Sequence, residues 1–186
     1  MRGKEERGYT LLELVIVVSV IALIAAIAVP ALNSTGSDEK LNLAAEKVAS
    51  AIRFARSEAI RTGEGHGLTV SQVTQQITVK KYDLSTAPIS TLGTLIHPID
   101  KQRYDFNVST GSTTQGVTIS NTHDVFNYTD LGGRRSLLFD AYGTPKWIVG
   151  SGPTTHLLSD GKIELSYGNA QLVVSVAPIT GRVTVQ

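Results

Sequence analysis

The sequence predicts an α+β protein: one long N-terminal helix, apolar at first and then amphipathic, packs on a C-terminal antiparallel β-sheet domain. Two observations carry this reading. From Tyr9 to Val29 the chain runs 21 residues with Glu13 as its only charged side chain, and after Glu64 the pattern turns from helical to strand-like. A third bounds it. With 186 residues, 41% hydrophobic and 18% charged, the chain can fold, and its length suits one globular domain with a modest appendage. Its 17 Lys+Arg against 16 Asp+Glu give a net charge of +1, which excludes a globally basic polyanion binder but not a local basic patch. There are no cysteines, so disulfides, thiolate metal sites and a Cys nucleophile are excluded.

The first element is the apolar run. A bilayer core of about 30 Å needs about 20 apolar helical residues, so Tyr9–Val29 can span it. Arg2, Lys4 and Arg7 precede the run and no basic residue follows until Lys40. By the positive-inside rule the N-terminus stays cytoplasmic and the remainder is exported. A buried core helix is rarely this long and this apolar. A removable secretory signal would have an apolar region of about 7–15 residues before its cleavage site. Here the run is longer, and only Ala28-Val29-Pro30-Ala31 imitates such a site. Glu13 is the awkward residue. A carboxylate at membrane depth costs about 3 kcal/mol and calls for a cation at the same depth.

The stretch Arg7-Gly8-Tyr9-Thr10-Leu11-Leu12-Glu13-Leu14 resembles the leader junction of type IV prepilins and type II secretion pseudopilins. The resemblance implies that a prepilin peptidase cuts after Gly8 and methylates the new N-terminus, Tyr9, where the family usually has Phe. Cutting there leaves the helix on the mature chain. Glu13, now its fifth residue, would pair with the N-terminal amine of a neighbouring subunit and set subunit register. That amine is the missing cation, since the two charges neutralise each other in low dielectric.

The next segment, Asp38 to Thr62, predicts an amphipathic helix with one apolar stripe at Leu41, Ala45, Val48, Ile52, Ala55 and Ala59. Ser37 or Asp38 is the expected N-cap and Gly63 the residue after the C-terminus. Pro30 and Asn33-Ser34-Thr35-Gly36 are expected to kink or locally melt the helix before it resumes. Within it, Ile52 to Gly63 resembles the signature that ends the long helix in the GspH/FimT family of minor pseudopilins and minor type IV pilins, which carries an Ala-Arg-Ser-Glu-Ala run there. The fold this implies is type IV pilin-like. Glu58 and Arg61, three apart, can pair on the helix surface.

Beyond Glu64 the expected strands are Gly67–Ser71, Gln76–Tyr82, Ser136–Asp140, Lys146–Val149, Lys162–Ser166, Gln171–Ala177 and Arg182–Val185, with a tight hairpin at Gly168-Asn169. The Ser/Thr/Asn/Gly-rich middle, Asp83 to Gly133, predicts irregular loops with two or three short strands. One helix followed by many strands reads as α+β. Phe139-Asp140 with Gly143, and the tail from Val176 to Val183, also resemble the GspH/FimT family.

Little here reads as chemistry. His66, His97, His123 and His156 have no metal-ligand spacing and read as loop or surface residues. Gly63-Glu64-Gly65-His66-Gly67 follows a helix instead of opening one and lacks a P-loop Lys, so it reads as a helix-to-strand turn. No nucleophile elbow or carboxylate pair is present, and neither an enzyme nor a cofactor or metal is expected. DNA is not an expected partner. Some FimT-like minor pilins take up DNA through a C-terminal Gly-Arg-x-Arg motif, but here Gly181-Arg182-Val183-Thr184 lacks the second Arg. Removing residues 1–8 would leave 14 basic and 14 acidic side chains, and the only adjacent basic pairs are Lys80-Lys81 and Arg134-Arg135.

The resemblance therefore implies a minor pseudopilin of a type II secretion system: an inner-membrane, single-pass subunit of a periplasmic pseudopilus that helps export folded proteins. The organisation expected is a leader at 1–8, a transmembrane and filament-core helix at 9–32, its amphipathic continuation at 33–63 and a periplasmic β-rich domain at 64–186. Its partners would be the prepilin peptidase, other major and minor pseudopilins or pilins, the inner membrane and secreted cargo. The runner-up is a minor type IV pilin of the FimT/FimU kind, acting in pilus priming, twitching or DNA uptake. The alternative of another class is a membrane-tethered binding domain that does not polymerise, for which Glu13 would have no use.

Overall fold

The computed structural model describes residues 10–186 except 87–88, 122 and 149–154, and of residues 26–35 the backbone alone. The chain falls into two compact units, Met1–Asp38 and Glu39–Gln186.

Helix α1 (Leu11–Thr62) runs without interruption through Pro30 and Gly36. The expected local melting does not occur, and neither Ser37 nor Asp38 starts a helix. Proline lacks the N–H that would enter the ladder, and the loss of one bond is tolerated in a helix of 52 residues. In the first unit the large apolar side chains from Leu11 to Ile24 are 51–82% exposed. Among the described residues no helix is long and apolar enough to cross a membrane. The expected span, Tyr9–Val29, extends outside the described residues at Tyr9 and in the side chains from Ala26 onward.

In the second unit every residue of the predicted stripe, from Leu41 to Ala59, is buried, and Ala44, Ala49 and Ala51 widen it. Gly63 closes α1 as expected: its φ is +70° and its N–H bonds to the Ala59 carbonyl at 3.0 Å.

The strands follow in chain order: β1 (Gly65–Ser71), β2 (Gln76–Asp83), β3 (Ser90–Thr94), β4 (Asp105–Asn107), β5 (Thr118–Ile119) and β6 (Phe126–Tyr128). Then come β7 (Gly132–Arg134), β8 (Ser136–Phe139), β9 (Lys146–Ile148), β10 (Thr155–Tyr167), β11 (Ala170–Val176) and β12 (Val183–Val185). One sheet has the order β3-β2-β1-β8, with β4 also on β2; the other has β12-β11-β10-β6-β7, with β5 and β9 also on β10. The pairings are antiparallel.

All seven predicted strands are present with end shifts, and Gly168-Asn169 forms the β10–β11 hairpin. Gly168 has φ +59° while Asn169 does not go positive, as a type II′ turn requires. Two expectations fall short. Among the described residues the middle region holds five short strands, β3 to β7, which take their order from pairing with β2, with β10 and, for β7, with β6 rather than from any period of their own. And β10 begins at Thr155, seven residues early, its register broken by a bulge between Leu158 and Asp160 that hides the alternation.

The two sheets and the helix stripe share one hydrophobic cluster that includes Ile52, Leu68, Ile77, Phe126, Leu137, Phe139, Ile163 and Leu165. Side-chain hydrogen bonds stitch the sheets together. Tyr128 in one sheet donates its hydroxyl to the Ser136 carbonyl (3.0 Å) and accepts from the Leu138 N–H (3.3 Å) in the other. Burial holds this phenol well above its ordinary range. At the β1–β2 tip, Gln75 accepts the Ile119 N–H at 2.5 Å, and Gln72 donates to the carbonyls of Asn121 (3.2 Å) and His123 (3.1 Å).

The histidines need a correction. His66 is a buried residue of β1, 2% exposed, with Nδ1 3.1 Å from the Glu64 carbonyl oxygen, and His156 lies in β10. The glycines on either side of His66 lie beneath Leu84 and the β8 backbone, so the loop-like sequence is a strand in a crowded place. Among the described residues no group of three or more His, Asp or Glu is placed to hold a metal ion.

The alanine face predicts sensitivity to volume. Ala55→Leu should cost about 1–3 kcal/mol by overpacking and lower the urea midpoint, whereas Ser50→Ala on the exposed face should leave it unchanged.

Candidate functional site

Two places on the chain gather the residues singled out by sequence. The first is the start of α1. Gly8 and Tyr9 lie outside the described residues. Thr10 caps the helix: its Oγ1 accepts the Glu13 backbone N–H at 3.2 Å, the first half of a Thr-x-x-Glu capping box. Glu13 therefore sits at the third helical position, in the first turn, where the partial positive charge of the helix terminus favours a carboxylate. Its neighbours Leu11, Leu12 and Leu14 are 61–82% exposed. Glu13 thus stands on an otherwise apolar surface, with no cationic partner among the described residues.

The second place lies near the C-terminal end of α1, and here the structure joins what the sequence kept apart. Arg56 donates through Nε to the Gly143 carbonyl at 3.1 Å. Gly143 belongs to a tight loop organised by Asp140, a buried carboxylate that accepts the backbone N–H groups of Tyr142 (3.0 Å) and Thr144 (2.8 Å). Lys146 neutralises it at 2.6 Å. Gly181 presses on the same corner: at φ +63°, a Cβ there would stand 2.9 Å from the Phe139 ring, 3.0 Å from the Gly143 oxygen and 3.1 Å from Arg56 Nε. The three stretches that resemble the GspH/FimT family, Ile52–Gly63, Phe139–Gly143 and Val176–Val183, thus meet at Arg56. Around the helix from it, Glu58 and Arg61 pair at 2.6 Å. The hydrogen bond from Arg61 holds the Glu58 carboxyl below its usual range.

The corner opens on a groove of about 360 Å³ lined by Arg53, Arg56, Ser57, Ile60 and residues 180–183. Sequence reasoning missed the part played by Arg53 and Arg56, because Arg182, which completes the cluster, lies far away along the chain. The only signal was that both family-like stretches carry an Arg. The basic pairs are less concentrated. Lys81 is tied to Glu64 at 2.5 Å, Arg134 donates to the neighbouring Gly133 carbonyl, and Lys80 shares a separate cleft with Arg103 and Asp105.

Comparison with known proteins places this corner within a described family. Residues 3–29 match the prokaryotic N-terminal methylation motif. Residues 44–181 match the family described as type II transport protein GspH. The chain belongs to the GspH family. The matched region takes in Arg56, Asp140, Gly143 and Gly181, so the corner is built from residues inside the family's span. No curated protein gives a significant match. Among solved structures, the minor pseudopilin EpsH from the type 2 secretion system of Vibrio cholerae is 10% identical, with 79% of this chain and 96% of that one covered at a TM-score of 0.49. The type IV minor pilin FimU of Pseudomonas aeruginosa is 15% identical, with 78% and 87% covered at a TM-score of 0.43. Likenesses this distant carry no functional weight. The family is one of structural pseudopilins and pilins.

Two glycines of this unit test the corner. Gly181→Ala should cost about 2–4 kcal/mol, adding a clash to left-handed strain. Gly168→Ala, with the same sign of φ but open space around it, should cost only about 1 kcal/mol. Urea unfolding of the two variants gives both numbers.

Proposed function

We propose that this chain is a minor pseudopilin of a type II secretion system, a structural subunit and not an enzyme. The observation that supports this most is the order of features in one chain: a methylation motif over residues 3–29, followed by the GspH region over 44–181. In this reading residues 1–8 are a leader that the prepilin peptidase removes after Gly8, with methylation of Tyr9. Residues 9–32 anchor the subunit in the inner membrane and later pack in the filament core, and 33–63 continue the helix onto the domain of 64–186. The N-terminus faces the cytoplasm and the domain the periplasm. Glu13 neutralises the amine of a neighbouring Tyr9 as subunits come into register. The β-rich domain meets other minor subunits and secreted cargo. The same apparatus would serve a minor type IV pilin of the FimT/FimU kind, and the phenotype of a deletion separates the two: failed export marks secretion, failed twitching marks pili.

The testing experiment is the intact mass of the membrane-extracted protein from cells with and without the prepilin peptidase. Loss of residues 1–8 plus one methyl group, dependent on that peptidase, is the expected result. An uncut chain, or one cut near Ala31, sinks the proposal. Glu13→Leu supplies a second check. Because Thr10 Oγ1 bonds the backbone N–H of residue 13, the substitution keeps that cap and removes only the carboxylate. Cleavage should persist while incorporation into filaments is lost; normal incorporation would count for a mere membrane tether.

A further inference from the structure

The groove at the end of α1 has a composition that the assembly reading leaves unused, and it lies wholly within Glu39–Gln186. Three arginines line or enter it, and no carboxylate is among its lining residues. Arg53 gives one nitrogen to Glu46 at 3.3 Å, an exposed contact, 49% and 61% for the two side chains, and therefore weak. Arg56 spends Nε on the Gly143 carbonyl and keeps both Nη groups for other partners. The Arg182 guanidinium has no partner among the described residues. Ile60, 49% exposed, forms an apolar wall between these charges.

The turn beside the groove is strained. Thr180 donates its N–H to the Pro178 carbonyl at 2.7 Å across Ile179, whose φ is +66°. This is the rare γ-turn with a positive central φ, and a β-branched residue is about the worst occupant for it. Burial does not compensate, because Ile179 is 64% exposed. A strained backbone that holds an aliphatic side chain out to solvent, next to guanidinium groups with donors to spare, has the makings of a binding edge.

We infer that this groove binds an acidic peptide segment of a partner protein, one that carries an aliphatic residue beside its carboxylates. Guanidinium forks match carboxylates bidentately, and Ile60 in the groove, with Ile179 on the turn at its rim, offers the aliphatic residue apolar surface. Nucleic acid fits less well. Phosphate binding draws on cations strung along a track, whereas these three are confined to one groove and the next cleft mixes Lys80 and Arg103 with Asp105. The inference does not rest on the secretion reading, and it stands whether the partner is a filament subunit or cargo.

The test uses the full chain in detergent and a fluorescein-labelled oligoglutamate ending in leucine, followed by anisotropy. Saturable binding that weakens with salt is expected. Arg182→Ala and Arg53→Ala should each weaken it about three- to tenfold with unfolding midpoints unchanged. Ile179→Gly should weaken binding while raising the unfolding midpoint, a combination that separates a lost contact from a lost fold. No binding at low salt, or binding indifferent to Arg182→Ala and Arg53→Ala, overturns the inference. So does a labelled oligothymidylate that binds more tightly than the peptide with the same dependence on Arg182.

Discussion

The fold depends on a row of side chains with almost nothing on them. Six alanines of α1 between residues 44 and 59 are at most 1% exposed, and they form the floor on which two sheets meet. A methyl group fills little space, so the sheets can settle on the helix while Leu41, Val48 and Ile52 fill the gaps between them. The arrangement is cheap in entropy, because alanine loses no rotamers on burial. It is also unforgiving. Each extra methylene on that face must displace a strand.

The corner at Arg56 is the second constraint, and it acts on direction where the alanine face acts on distance. One hydrogen bond to the Gly143 carbonyl, a carboxylate folded into its own loop and a glycine close against that carbonyl and Arg56 hold the end of α1 to residues from two separate parts of the β domain. These bonds are short-range, but the residues that make them are distant in sequence. A family resemblance that looked patchy along the chain is one contiguous place in three dimensions.

How much of this was legible beforehand follows from the range of each signal. The stripe on α1 could be read because helical period is local, and so could β1, β2, β8, β11 and the Gly168-Asn169 turn. The strands β3 to β7 could not, since two to five residues carry no period and take their conformation from the strand they join. The first half of β10 was hidden by its bulge, and His66 by the glycines around it. Of the residues proposed to act in processing and assembly, Glu13 was legible as a lone charge in an apolar run, and Gly8 with Tyr9 only through resemblance. The groove of Arg53, Arg56 and Arg182 was out of reach, because nothing in either segment announces the other.

The topology of β10 has a consequence for the order in which the domain can form. This strand joins β5, β6, β9 and β11 into one sheet, yet it begins only at Thr155. Emerging from its N-terminus, whether from a ribosome or across a membrane, the chain shows β5, β6 and β7 long before the strand that completes them. Until then their open edges are templates for the wrong partner. The hairpin of β10 and β11 is local and can close quickly once it appears, after which the waiting strands dock on an existing edge. Completion of the domain is therefore deferred to the last part of the chain, and a truncation there would be felt by strands formed well before it.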